Sequence, residues 1–146
     1  MFSHIVIAWD GSEHARRAFE YGVGISQKFE ARLQLISVAR HAEHAETDDE
    51  RQDSRHQARR FYESGANELI ESALKRGVKA ELLIVEGGHP AEAIVDTARK
   101  VGADLIIVGR RGLSGVTRFL IGSVSDRIAR YAHCPVLVID GFLTPP

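Results

Sequence analysis

The sequence has one cysteine, Cys134, so no disulfide can form within the chain, and a reducing compartment suits it. No apolar run approaches the roughly 20 residues that a membrane-spanning helix needs. The start, Met1-Phe2-Ser3-His4-Ile5, lacks the basic region and long apolar stretch of a signal peptide. A cytoplasmic protein is expected, with no membrane partner. Net charge is also scarce: 19 Lys and Arg against 20 Asp and Glu leave -1. That balance excludes a dedicated nucleic-acid surface, though not a small local anion site. Two phosphate signatures are missing as well. No GxxxxGK[ST] occurs, and the first turn reads Trp9-Asp10-Gly11-Ser12-Glu13 rather than GxGxxG.

What is present fits a single domain over residues 1–146, since one core suffices at this length. Five short apolar runs stand out: Ile5–Ala8, Leu33–Val38, Leu82–Val85, Leu105–Val108 and Val136–Ile139. Several are continuous rather than alternating, as strands buried on both faces are. Helical spacing fills the gaps. One segment runs from about Glu13 to Phe29, and a second from Ala58 to Leu74 carries apolar residues, Phe61 and Tyr62 among them, at steps of three and four. A third helix opens at Pro90 and stops at Gly102, and a fourth runs from Gly122-Ser123 to about Ala132. This alternation requires crossover connections, hence an α/β fold with a parallel sheet and helices on both faces.

The stretch from Ala39 to Arg55 fits no core element. Its charge, with His41, His44, Asp48, Asp49, Glu50 and Asp53, reads as a solvated loop and frayed helix start. A lid over a ligand is the other reading; a metal site has no ligand geometry to support it. No nucleophile stands with a general base. His89 precedes a helix-starting proline, and Cys134 reads as small apolar filler beside His133. No catalytic residue is assigned.

The chemistry concentrates in Gly109-Arg110-Arg111-Gly112-Leu113-Ser114-Gly115-Val116-Thr117-Arg118-Phe119-Leu120-Ile121-Gly122-Ser123. It begins where an apolar strand ends and finishes where a helix starts. Glycines there serve either tight turns or close ligand approach. The first amides of the helix, on Ser123, Val124 and Ser125, form an anion site at its positive pole. Ser123 also suits the N-cap, with Asp126 three residues on. A phosphate site and a plain turn both fit this spacing. Arg110, Arg111 and Arg118 would neutralise an anion.

The spacing Gly109-x-x-Gly112-(nine residues)-Gly122-Ser123 is similar to the nucleotide motif of the ATP-binding branch of the universal stress protein family. The resemblance extends to Ile5–Ser12, to Ala103–Gly109 and to His133–Ile139. It implies a five-stranded sheet in the order 3-2-1-4-5, of the adenine-nucleotide alpha-hydrolase-like kind. It also implies Gly109 and Gly112 against ribose and phosphates, with Gly122, Ser123 and Val124, joined by Ser125, holding the phosphate chain. Asp10 would sit near the phosphates or a Mg²⁺ or Mn²⁺ ion, or else turn the chain and cap the first helix. Ala8 and Val38 would flank the adenine, with Val38 reading its edge through the backbone; Val108 and Arg111 complete the expected site. Trp9 receives no role. The resemblance further implies a homodimer through the last strand, and a nucleotide-dependent stress or signalling protein with at most slow ATP hydrolysis. An interaction module without nucleotide and an adenylyl-transferring enzyme are the alternatives.

Overall fold

The computed structural model describes residues 1–40, 47–111 and 121–140. Nine elements alternate along the chain: β1 (His4–Ala8), α1 (Glu13–Phe29), β2 (Arg32–Ala39), α2 (Asp48–Lys75), β3 (Ala80–Glu86), α3 (Pro90–Lys100), β4 (Leu105–Gly109), α4 (Ser123–Tyr131) and β5 (Val136–Ile139). The strands form one parallel sheet in the order β3-β2-β1-β4-β5, as the resemblance implies. Each apolar run therefore becomes a strand, with its ends shifted by two residues at most.

Strand alternation divides the core in two. Ile5, Ile7 and Trp9 of the first strand segment face Phe19 and Val23 of α1 and Ala66 and Leu69 of α2. Val6 and Ala8 face the other way, onto Ile94 and Val95 of α3 and Ile128 of α4. The three inner strands are buried on both sides, which explains their continuous apolar runs. The outer strands β3 and β5 are only half-buried. Charged pairs flank β3: Arg32 meets Glu81, and Arg55 lies 2.7 Å from Glu86.

The charged stretch departs from expectation. The helix start expected in this stretch is present, but it is capped rather than frayed: residues 48–55 are the first two turns of α2. Thr47 makes a full capping box with Glu50, and Asp48, Asp49 and Glu50 sit at the helix's positive pole. Cap and dipole together stabilise a polar helix start that apolar periodicity does not reveal. His41 and His44 lie outside the described residues, among which no metal-ligating cluster occurs. No helix among the described residues is long and apolar enough to cross a membrane.

The sheet order sets the location of the site. From β1 the chain winds outward to β2 and β3, then returns to the other side of β1 at β4. Connections from β1 and β4 diverge to opposite faces, opening a crevice at their C-terminal ends. Asp10 follows one strand and Gly109 closes the other, so the two loops singled out in the sequence meet there.

Candidate functional site

The first loop is a tight turn. Asp10 Oδ1 accepts a 2.9 Å hydrogen bond from the Ser12 amide, and Gly11 adopts a positive φ of 84°. Ser12 Oγ then accepts from the Ala15 amide at 3.2 Å and caps α1. Asp10 thus shapes the turn while remaining on the cavity wall; the capping belongs to Ser12.

The second loop begins at Gly109. A Cβ there would lie 2.6 Å from His14 Cβ and 2.7 Å from the His14 carbonyl carbon. The start of α1 therefore demands a glycine before any ligand does. Arg110 is engaged: its guanidinium reaches Asp140 at 2.9 Å, and its amide donates to Ile139 O at 2.7 Å. It ties the end of β4 to the end of β5, and Asp140 already meets part of its charge. Arg111 lies on the cavity wall, whereas Gly112 and Arg118 fall outside the described residues.

At the head of α4 the cap is Gly122, not Ser123, and no side chain caps it. The Gly122 amide donates to Arg110 O at 2.7 Å, and the first intrahelical bond runs from the Asp126 amide to Gly122 O. Ser123 is thereby drawn into the first turn. The amides of Ser123, Val124 and Ser125 precede that bond and sit at the positive pole, bordering the cavity. Ser125 adds a second tie: its buried hydroxyl lies 2.6 Å from Gly109 O and 3.2 Å from Arg110 O, sharing its proton between them. Its side chain thereby builds the frame at the head of α4.

These groups enclose a cavity of about 290 Å³. Every expected site residue within the described range lines it: Ala8, Asp10, Val38, Val108, Gly109, Arg111, Gly122, Ser123, Val124 and Ser125. The structure adds wall residues that sequence reasoning passed over, chiefly Tyr62, Arg40, Pro90 and Ile94. Trp9 also acquires a role. It is 2% exposed, and its indole N–H donates to Tyr62 O at 3.1 Å. A Cβ on Gly65 would lie 2.8 Å from Trp9 Cζ2, so a bulky residue on one element meets a gap on the other. This contact seats α2 beside the cavity. From there the Tyr62 hydroxyl donates to Val38 O at 3.0 Å. Burial, then the Asp10 carboxylate, push the Tyr62 phenol above its ordinary value of 10.0, with Arg40 opposing them. The phenol keeps its proton at neutral pH.

The remaining candidates lie elsewhere. His89 is the residue before α3 and makes no side-chain cap. The His133 ring lies 2.8 Å from Ala103 O, and Cys134 packs against the α3 and α4 side of the core. Burial, then the Asp104 charge, raise the Cys134 thiol, as suits an inert filler rather than a nucleophile. Asp104 itself joins the starts of β1 and β4. It accepts from the Ser3 amide at 2.8 Å, the Ser3 hydroxyl at 2.7 Å and the His4 amide at 3.1 Å. Partial burial raises its carboxyl, but these hydrogen bonds outweigh burial and leave it below the ordinary value.

The sequence profile described as the universal stress protein family matches residues 1–140. The chain is 31% identical to universal stress protein YxiE of Bacillus subtilis over 153 residues, covering 95% of this chain and 99% of that one. It is 36% identical over 139 residues to a putative universal stress protein of Staphylococcus epidermidis, covering 94% and 84%. Among solved structures, a universal stress protein in complex with cAMP aligns with a TM-score of 0.72 at 27% identity, covering 94% of this chain and 97% of that one. Its fold, its matched profile and these relatives agree: the chain belongs to the universal stress protein family.

Proposed function

We propose that this chain binds ATP in the crevice between β1 and β4 and serves as a nucleotide-dependent regulator of stress or signalling. The observation that carries the reading is the polarity of the cavity. The β4 side has the first amides of α4 and Arg111; the β1 and β2 side has the apolar walls Ala8 and Val38. An anion fits the first and a planar base the second. Its volume of about 290 Å³ is near the lower end of small-molecule sites. A solved relative that holds cAMP supports a nucleotide in general.

The described residues fit the phosphate-bearing half of such a ligand, because the three amides that follow Gly122 form a donor set at the head of α4. A divalent cation such as Mg²⁺ or Mn²⁺ would be held by the phosphates, with Asp10 as the nearby carboxylate; a cation of this kind commonly takes few protein ligands. It would neutralise phosphate charge. Among the described residues no nucleophile is paired with a base at the cavity, so hydrolysis is expected far below the roughly 1–100 s⁻¹ of kinases. A second copy pairing along the half-buried outer strand β5 is part of the same reading, since an unpaired apolar edge invites a partner.

The test is titration calorimetry of the full chain with ATP, ADP and AMP, with and without Mg²⁺ or Mn²⁺. Saturable heat with ATP is expected. No heat, together with no displacement of a fluorescent ATP analogue, would refute nucleotide binding and favour a pure interaction module.

A further inference from the structure

We infer that the Tyr62 hydroxyl selects the base, favouring a 6-aminopurine over a 6-oxopurine at the β2 end of the cavity; the inference rests on the nucleotide reading above. With the phosphates at the α4 amides on the β4 side, the base reaches across β1 to Val38 and Tyr62. There the Tyr62 O–H proton is committed to Val38 O at 3.0 Å. A phenol oxygen that donates its one proton retains only acceptor lone pairs, and a carbonyl has two of them. The phenol oxygen and the Val38 carbonyl together therefore present acceptors to the edge of the base. An exocyclic amine offers two N–H donors to such an edge. A 6-oxo group would bring a third acceptor and leave only the single N1–H donor for two acceptors, so that one stays unpaired in a half-buried site.

The position of the phenol is built rather than incidental. Trp9 Nε1–H holds the Tyr62 carbonyl, Gly65 admits the indole, and the Phe61 ring meets the Tyr62 ring edge-on at 5.3 Å between centroids. The side chain that reaches Val38 thus stands on a helix segment fixed from beneath by β1. Without Tyr62 the Val38 carbonyl alone would read the base, and one acceptor discriminates less than two.

The experiment compares ATP with ITP, which differ in this amine-to-carbonyl exchange and in the proton that N1 gains with it, on the full wild-type chain and on Tyr62→Phe. The variant keeps the packed ring and loses one oxygen, so the fold is retained; its unfolding midpoint checks this. Wild type is expected to bind ATP about tenfold or more tightly than ITP, and the ratio is expected to narrow by roughly three- to tenfold in Tyr62→Phe. Equal wild-type affinity for ATP and ITP, or an unchanged ratio in the variant, would overturn the role of Tyr62 while leaving nucleotide binding intact. Failure of wild type to bind either would overturn both.

Discussion

Gly109 and Gly122 belong to one sequence motif, yet the structure gives them different duties, and substitution should separate them. In Gly109→Ala the new Cβ would stand 2.6 Å from His14 Cβ, 2.7 Å from the His14 carbonyl carbon and 3.0 Å from the Ala15 amide nitrogen. Comfortable carbon contacts lie at about 3.5–4.0 Å. The first turn of α1 must therefore retreat by about 1 Å, and two of the three obstacles are backbone. Overpacking of this kind costs roughly 1–3 kcal/mol. The retreat also strains the Ser12 cap, a feature worth roughly 0.5–2 kcal/mol. About 2–4 kcal/mol in total would lower the melting midpoint by roughly 5–12 °C in a domain of this size. Gly122 has φ -63° and ψ 151°, open to any residue, and its added Cβ would meet Arg110 O at 3.1 Å. Gly122→Val is expected to remain within about 1 kcal/mol of wild type in stability. Its ATP affinity should fall by about tenfold or more, because the three amides move with the cap. Urea denaturation and ATP titration on both variants provide the measurements. If Gly109→Ala unfolds within about 0.5 kcal/mol of wild type, or Gly122→Val is as destabilised as Gly109→Ala, the division of duties is wrong.

Two further outcomes are expected. Asp104→Asn should cost about 1 kcal/mol at neutral pH, less than the usual 1.5–3 kcal/mol for bonds to a charged group because the site is partly exposed. The folded carboxyl lies below its ordinary value of 3.8, so this stability is present above that value and lost as pH falls through the folded one. Urea titrations at several pH values should show the gap between wild type and variant closing only in that acid range; a gap closing near neutrality would contradict the assignment. For the assembly, sedimentation velocity should give twice the chain mass, and a monomer at all concentrations would remove β5 pairing.

The elements were legible because burial on both faces leaves continuous apolar runs and because Pro90 and Gly102 mark where α3 begins and ends. Strand order was not, since a parallel crossover can place the next strand on either side; it came from the family resemblance. The site was legible along the chain at Gly109–Ser123, but its partition was not. Gly109 reads as a ligand glycine until α1 is seen against it, and Ser123 reads as the cap until Gly122 takes that position. Trp9 and Tyr62 stand 53 positions apart and carry no local signal of contact. Tyr62 keeps helical spacing like any core residue, so periodicity alone hides a side chain that ends in the cavity.

The hydrogen bond from the Gly122 amide to Arg110 O pins both ends of the segment between them. Ser125 clamps the same carbonyl, and Asp140 and Ile139 hold Arg110 from the other side. The position of the α4 amides is therefore tied to the ends of β4 and β5. A change at Asp140, which does not line the cavity, would thus be felt at the α4 amides through the single carbonyl of Arg110.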